Sequence, residues 1–415
     1  MSDRHFPVRP DLDQLKHQAK DLLRDIRAGT AAAVAELRKH HPERVEPGIA
    51  KLADAQLVLA RSYGLPSWPR LVLACEMTGA IWRDDADTVR ELVTRRPELL
   101  QEDARGVKGN WGPPMSYAAN LGRDRILTML RELGAADLQH AFGRACLQGK
   151  VDTARRLHAM GARPEPGYVM GPCETQNADG LALVLELGAA WADGHGDALA
   201  PVALLLQTYC RDPDGKHRCL ELAAAQGITL PDTPPMAVHR GRIDLLEAHL
   251  ARDAGLLSRT FAHREIYPPE LGCHADESLA LHGTPLAGTT LLHLAVDFDE
   301  MEVARWLLAR GADVNAPAAI DGDGFGGHTA LFGCVVSQPY RVGRRKDDAF
   351  ARFLLDRGAD ANARASLRKR LRFVADETTH EYRDVSPRSW GERFHDQDWV
   401  SKPVARLIVE RGGIA

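Results

Sequence analysis

The residues of this chain that could exchange protons with a substrate are concentrated between positions 321 and 396. Carboxylates and imidazoles do acid–base work near neutral pH. A catalytic site would therefore draw on Asp321, Asp323, His328, His380, Glu381 and His395. A binding site in the same region would use a wider set, namely Asp321, Asp323, Phe325, His328, Asp376, His380, Trp390, Arg393, His395 and Asp396. An arginine among them would hold an anionic group.

Metal-ligand residue types are present here without the spacing of a metal site. No pair of the His and Cys residues between 263 and 282 has zinc-site spacing, and no HExxH occurs. Asp321 to Gly324 begins like a calcium loop, but position 12 is Phe332, so an EF-hand is rejected. Glu377 and His380 match half of a di-iron pair whose partner helices are absent. The sequence predicts no metal and no cofactor.

Each of these segments also has a structural interpretation. The glycines from Gly322 onwards could form the turn before Thr329, which would place His328 exposed at the base of a loop. The basic and then acidic stretch 364–383 could satisfy itself with ion pairs, or offer a basic patch to an anion. Trp390 and Trp399 could pack the last turn, or wall a pocket with Arg393 and His395.

The element that would position these residues is a unit running from Gly288 to Ala316. Thr290 precedes an apolar run, a polar break follows at Asp297, and a second amphipathic run ends at Gly311. The pattern predicts a helix, a tight turn, a second helix and a stop. A helix pair with one apolar face must stack on neighbours to bury that face.

The unit resembles an ankyrin repeat. Its Gly-x-Thr-x-Leu-His-x-Ala run starts at Gly288, and the Leu-Leu-x-x-Gly-Ala-Asp-Val-Asn ending spans 307–315. The resemblance implies an all-α ankyrin-repeat solenoid of about eight to nine helix pairs, with an N-terminal helical cap and long C-terminal finger insertions. It gives His293 a structural role, bridging backbone groups within and between repeats.

The resemblance extends over most of the chain in weaker form. Residues 1–77 are predicted to form helices at 12–26, Thr30–His40, Ile49–Tyr63 and Ser67–Met77. They are expected to cover the first repeat as a cap, with a separate docking module as the alternative. The runs 15–23 and 63–68 are similar to the N-terminal segment of many bacterial ankyrin-repeat proteins. Residues 78–257 predict degenerate, short-fingered repeats, with stops 27 residues apart at Gly134, Gly161 and Gly188.

Residues 258–415 predict repeats with long inserted fingers. The helix-starting position moves from Thr233 to Thr290, Thr329 and Ser386, with gaps of 57, 39 and 57 residues. A repeat of about 33 residues leaves roughly 24, 6 and 24 residues as insertions. Part of the last insertion, around 337–346, falls between two helices of one repeat. Such insertions map to one face of a solenoid, often the binding face, so this is the candidate functional region.

Composition narrows the class of protein. The chain has 415 residues, is 44% hydrophobic and 27% charged, and carries a net charge of −4, which does not suggest a nucleic-acid or membrane protein. Seven scattered cysteines without a CxxC pair favour free thiols in the cytoplasm. The charged N-terminus lacks the apolar core of a signal peptide, and the apolar runs are too short to span a bilayer.

Three functions remain open at this stage. The first is an interaction scaffold that binds a protein partner through its concave face and fingers. The second is a small-molecule or metal-dependent enzyme that uses the carboxylates and histidines of the inserted loops. The third is a nucleic-acid binder using 341–372, which carries eleven Lys or Arg residues against four Asp but few aromatic residues. No GxSxG, P-loop or dinucleotide fingerprint is present. A broad groove would favour the scaffold, and fingers closed over a cavity would favour the enzyme.

Overall fold

The computed structural model describes residues 4–343 and 345–415. Arg344, one of the basic residues of the 341–372 stretch, and the first three residues of the N-terminus lie outside this range. The chain divides into two compact units, Met1–Pro164 and Glu165–Ala415. The predicted division into a cap, short-fingered repeats and long-fingered repeats remains a prediction.

The N-terminal unit is built from short helices joined by tight turns. Its helices are α1 (Leu12–Arg27), α2 (Ala31–His40), α3 (Leu52–Ser62), α4 (Trp68–Trp82), α5 (Ala86–Arg95), α6 (Pro114–Leu121), α7 (Asp124–Glu132), α8 (Leu138–Leu147) and α9 (Val151–Ala159). Asp11 caps α1 by accepting from the Gln14 N–H at 2.9 Å. Leu15, Ala19 and Ile26 of α1 are buried at the spacing that the sequence predicts.

Two predicted helix boundaries in this unit are wrong. Ile49 does not start a helix, because it lies in a 3₁₀ turn, Pro47–Ile49, and is 74% exposed. The helix predicted to end at Met77 continues to Trp82 as α4, since Ala80 and Ile81 are also buried in the core. Both errors come from apolar residues near an element's end, where tertiary burial decides the boundary.

The C-terminal unit continues with helix pairs. Its helices are α10 (Met170–Glu174), α11 (Ala178–Glu186), α12 (Ala200–Gln207), α13 (Pro213–Ala225), α14 (Pro234–His239), α15 (Ile243–Arg252), α16 (His263–Ile266), α17 (Leu291–Asp297), α18 (Met301–Ala309), α19 (Ala330–Val335), α20 (Gln338–Val342), α21 (Ala349–Leu355), α22 (Pro387–Arg393) and α23 (Lys402–Glu410). Additional 3₁₀ turns span Ala254–Leu257, Pro269–Leu271, Glu277–Leu279 and Gln397–Trp399 in this unit, and Pro97–Leu100 in the N-terminal unit.

The helix–turn–helix unit that the sequence singled out is present as α17 and α18. Every residue of α17 is buried, whereas α18 buries only Val303, Ala304 and Leu307 on one face. Gly311 ends the pair in the left-handed region at φ 94°. The inner helix of the pair therefore lies in the core, and the outer helix faces solvent on one side.

The inserted segments adopt structures of their own. Helix α20 lies between α19 and α21, as the predicted insertion within one repeat requires. The third insertion forms an antiparallel hairpin of β1 (Ala365–Arg370) and β2 (Thr379–Val385), in which Lys369 pairs with His380. The all-α prediction was wrong here. Alternate residues of β1, namely Ala365, Leu367 and Lys369, are buried, which is the period of a strand.

Backbone hydrogen bonds join the fingers to one another. Phe261 exchanges bonds with the chain at 288–289, Ala319 N–H donates to the Gly288 carbonyl at 2.7 Å, and Gly326 N–H donates to the Ser366 carbonyl at 2.6 Å. The hairpin is therefore the last member of a continuous hydrogen-bonded series of extended segments. This series fixes the positions of the side chains that the sequence analysis singled out.

Candidate functional site

His293 and His328 are structural residues at the base of the fingers. Nδ1 of His293 accepts from the Thr290 N–H at 3.3 Å, and Nε2 lies 3.0 Å from the His328 carbonyl oxygen. Nε2 of His328 in turn lies 3.0 Å from the Pro285 carbonyl oxygen. Burial lowers the pKa of His293 to about 4 and that of His328 to about 3. Both rings are therefore neutral and tie loops to helices.

The prediction that His328 is exposed is wrong, because only 2% of this residue is exposed. The second finger folds back over it, and its ring packs against His293 with centroids 5.4 Å apart. His328 therefore does not lie at the surface, where the sequence analysis placed it. The sequence predicts that His293 bridges backbone groups within and between repeats. Its two hydrogen bonds do join two segments, one to Thr290 and one to the His328 carbonyl.

The turn of the second finger uses the carboxylate of Asp321 for its own stability. Oδ1 of Asp321 accepts from the N–H groups of Asp323 and Phe325, both at 2.9 Å, and these bonds lower the pKa of Asp321. Asp323 is exposed and pairs with Arg368 of the hairpin at 2.9 Å. The two predicted carboxylates are therefore close together, but one closes the turn and the other joins two fingers.

Phe325 joins the same two fingers from the inside. Its side chain is buried, and the guanidinium carbons of Arg368 and Arg383 each lie 4.2 Å from its ring centroid. Glu381 pairs with both arginines, at 3.4 and 3.5 Å. Planar cations stacked on an aromatic face are stabilised by the ring quadrupole. The ion-pair interpretation of the 364–383 stretch therefore describes Arg368, Glu381 and Arg383.

Three predicted residues meet at the far end of the hairpin. Asp376 Oδ2 lies 2.9 Å from Nε2 of His380, and the His380 ring stacks on His395 with centroids 4.0 Å apart. Nδ1 of His395 lies 2.6 Å from the hydroxyl of Tyr382, which the sequence analysis did not select. Burial and the neighbouring His380 lower the pKa of His395.

The remaining predicted residues divide between packing and surface. Trp390 is fully buried, and its ring packs against Tyr382 and Phe394 at centroid distances of 4.8 and 4.9 Å. Trp390 therefore packs the last turn and does not wall a pocket. Arg393 is exposed, and Asp396 accepts the Asp398 N–H at 3.0 Å to cap a 3₁₀ turn.

A buried charge cluster lies beneath the fingers. Arg211 donates to the Asp297 carboxylate at 2.8 Å, and Lys216 pairs with Glu300 at 3.1 Å. The Lys216 ammonium also lies 4.3 Å from the centroid of Phe298. All four charged residues are at most 5% exposed. Such pairs fix the geometry of the helix ends, because leaving either partner alone would bury an uncompensated charge.

The inserted segments line a half-open cavity of about 300 Å³, here called the finger pocket. Its wall consists of Glu277, Ser278, His282, Pro285 and Ala287 from the first finger, Ala319, Asp321, Phe325 and Gly326 from the second, and Leu367, Arg368, Lys369, Arg370 and Thr379 from the hairpin. Only Asp321 and Phe325 were predicted as site residues. The alternation of the Ala365–Arg370 run, which places Lys369 on its buried face, was the signal that could have identified Lys369.

A larger depression of about 740 Å³, here called the groove, lies on the same unit. Its apolar wall consists of Ala200, Ala203, Leu204, Tyr209, Leu279, Leu281, Val342, Val374 and Trp399, and Phe373 lies at its edge. Gln207 holds the first finger against α12 by accepting the His274 N–H at 2.8 Å. Gln338 of α20 donates to the Tyr209 carbonyl at 2.6 Å. The walls of the groove are thus bonded to each other.

Metal and membrane features can be assessed for the described part of the chain. Among residues 4–343 and 345–415, no three His, Cys, Asp or Glu side chains lie together as metal ligands would. No helix in those residues is long and apolar enough to cross a bilayer. None of the seven cysteines forms a disulfide in the described residues, and six of them are buried.

Comparison with known proteins supports the interpretation of the central unit. Residues 287–319 match the family model of the ankyrin repeat. This segment is therefore similar to an ankyrin repeat. A solved structure, the human ASB11 ankyrin repeat domain, is 17% identical to the chain. The match covers 73% of this chain and 99% of that domain, with a TM-score of 0.25. No curated protein gives a significant match. The matched segment coincides with α17 and α18, which carry His293 and the attachment points of the first two fingers.

Proposed function

We propose that the protein is an interaction module that binds a polypeptide segment of a partner protein in the groove. Ankyrin repeats generally mediate protein–protein interaction, and residues 287–319 are similar to one. The observation that carries the proposal is Phe373, whose side chain is 77% exposed at the edge of the groove. An exposed aromatic ring beside an apolar depression is typical of an interaction surface.

The backbone at Phe373 supports a role in binding. Phe373 has φ 61°, a left-handed conformation that is rare for a bulky residue. The Phe373 N–H is held by the Glu377 carboxylate at 2.7 Å, so the turn that displays the ring is fixed. Strained residues of this kind cluster at functional sites. Tyr209 and Val342, 39% and 36% exposed, continue the apolar surface.

The chemistry of the groove indicates the kind of segment it takes. Its lining is mostly apolar and includes Arg341 and Arg372, together with Glu174 and Asp197. The guanidinium carbon of Arg372 lies 4.8 Å from the centroid of the Phe373 ring. The segment would insert apolar side chains between Tyr209 and Phe373, and an acidic residue beside them would pair with the arginines. The cytoplasm is the compartment in which we expect this interaction.

The proposal is tested by capturing the tagged protein's partner from an extract of its own cells and measuring the affinity of the purified pair. Phe373→Asp should weaken binding by about tenfold or more, or about 1.4 kcal/mol. The matched control is Val409→Asp on α23, which is 51% exposed and outside the groove lining. Equal affinity of the two variants would exclude the groove as the binding surface.

A further inference from the structure

The finger pocket contains a buried lysine, Lys369, whose ammonium group forms no ion pair with a carboxylate of the described residues. Lys369 is 5% exposed, and within the described part of the chain no Asp or Glu forms an ion pair with it. Its only hydrogen-bond contact there is with Nδ1 of His282, at 3.3 Å from Nζ. Burial lowers the pKa of Lys369 to about 8, although Glu277 and Asp297 oppose this from a distance. A buried ammonium is costly unless an anion or several acceptors compensate it.

His282 provides a second unsatisfied group in the same wall. It is 1% exposed, and its Nδ1 accepts from Lys369, so Nε2 carries the ring proton. Nε2 has no hydrogen-bond partner among the described residues. Burial and the charge of Lys369 lower the pKa of His282 well below its usual value. The imidazole is therefore neutral, and it orients the lysine without contributing an anion.

The other charged residues of the pocket wall are already engaged. Arg368 pairs with Asp323 and stacks on Phe325, and Arg370 donates to the Glu377 carbonyl at 2.8 Å. Glu277 accepts the Ala287 N–H at 3.2 Å. These bonds leave Lys369 as the buried cation whose charge is not matched.

We propose that the finger pocket binds a small organic monocarboxylate whose carboxylate pairs with the ammonium of Lys369. One lysine beside a neutral imidazole compensates a single negative charge, which favours a carboxylate over a phosphate dianion. Pro285, Ala287 and Leu367 give the pocket an apolar side that a short hydrocarbon chain would contact. A volume of about 300 Å³ is at the lower end of ligand sites and suits a small metabolite.

The first experiment measures binding of butyrate to the full chain by calorimetry, with butyramide and inorganic phosphate as matched probes. Butyrate should bind in the millimolar range, and the uncharged amide and phosphate should each bind about tenfold more weakly or not at all. Lys369→Met should abolish butyrate binding, and Lys402→Met on α23 should not. Equal binding of the amide, or tighter binding of phosphate, would overturn the proposal.

A second measurement locates the site without a variant. Cyanate, a small anion, carbamoylates deprotonated amines, and Lys369 should react early at pH 8 because its pKa is about 8. Mass spectrometry should show that butyrate slows modification of Lys369 at least about fivefold, with exposed Lys402 unaffected. No protection of Lys369 at saturating butyrate would contradict the proposal even if Lys369→Met fails to fold. The finger pocket and the groove are separate, so either proposal can fail alone.

Discussion

Nε2 of His293 lies 3.0 Å from the backbone carbonyl oxygen of His328, so the ring on α17 holds the residue just before the next helix start. His328 makes the same kind of contact, since its Nε2 lies 3.0 Å from the Pro285 carbonyl oxygen. Two buried imidazoles thus connect three consecutive segments of the chain. Removing one partner of a buried hydrogen bond costs more stability than forming the bond contributes, because the remaining group stays buried without a partner.

Replacing His293 should destabilise the C-terminal unit without a charge effect. His293→Leu leaves the Thr290 N–H unpaired and removes one of the two donors to the His328 carbonyl, which still accepts the Ala318 N–H at 2.8 Å. We therefore expect a loss of about 1–3 kcal/mol in the free energy of unfolding. Urea denaturation followed by circular dichroism measures it. His17→Leu on exposed α1 is the control and should change stability by less than about 0.5 kcal/mol. Similar values for both variants would contradict the bridging role.

Acid should unfold the C-terminal unit more readily than a protein with exposed histidines. Burial holds the pKa values of His293 at about 4 and His328 at about 3, below the unfolded value of about 6.5. Below pH 6.5 the unfolded chain therefore binds more protons, and stability falls by about 1.4 kcal/mol per pH unit for each ring. Urea midpoints at pH 7, 6 and 5 measure this slope. His293→Leu should reduce it, and an unchanged slope would contradict the assignment.

Gly326 should be intolerant of a side chain, whereas Gly322 in the same turn should accept one. Gly326 has φ 128°, and a Cβ there would lie 2.0 Å from the Ala319 carbonyl oxygen. Gly326→Ala should cost at least about 2 kcal/mol and loosen the hairpin, which Gly326 bonds at Ser366. Around Gly322 nothing lies within 4 Å, so Gly322→Ala is the matched control. Thermal denaturation of both variants compares them.

The Arg211–Asp297 pair should be sensitive to loss of one partner. Asp297→Asn leaves the Arg211 guanidinium buried without its anion, and we expect a loss of about 3 kcal/mol or more in stability. Arg211→Met combined with Asp297→Asn removes both charges and should recover part of that loss. Chemical denaturation of Asp297→Asn, Arg211→Met and the double variant gives the interaction energy of the pair. A double variant less stable than both singles would show that the pair contributes beyond mutual compensation.

Phe373→Gly should separate stability from binding. Glycine adopts φ 61° without steric cost, so the variant should fold with equal or slightly higher stability, by up to about 1 kcal/mol. It removes the ring that the proposed partner contacts, so affinity for that partner should fall. Melting temperature and affinity measured on the same preparation test both parts. Lower stability with unchanged affinity would assign Phe373 to folding instead.

Sequence reasoning identified the elements with a strong local signal. The 288–316 unit, the buried face of α1 and the insertion at α20 follow from apolar spacing and turn residues, which act within a few positions. The hairpin was missed as a strand pair because its charged residues masked an alternation that burial made visible. The number of repeats stays a prediction.

The candidate sites depended on contacts that spacing does not contain. Asp376, His380 and His395 were selected together and do meet, because β2 ends beside α22. Lys369 and His282 are 87 positions apart, and only the folding of two fingers against each other brings them into contact. His328 was placed at the surface because a glycine-rich turn precedes it, and the turn instead covers it.

Backbone hydrogen bonds connect the three inserted segments in series, from Phe261 through Gly288, Ala319 and Gly326 to Ser366. Moving one of these segments away from the others would therefore break its bonds to a neighbour. Lifting one finger breaks the bonds that hold its neighbour, so amide protons along the whole rim should exchange with solvent at a common rate. Occupying either the groove or the finger pocket would then slow exchange at residues remote from the bound molecule. The rim would act as a single mechanical element shared by both sites.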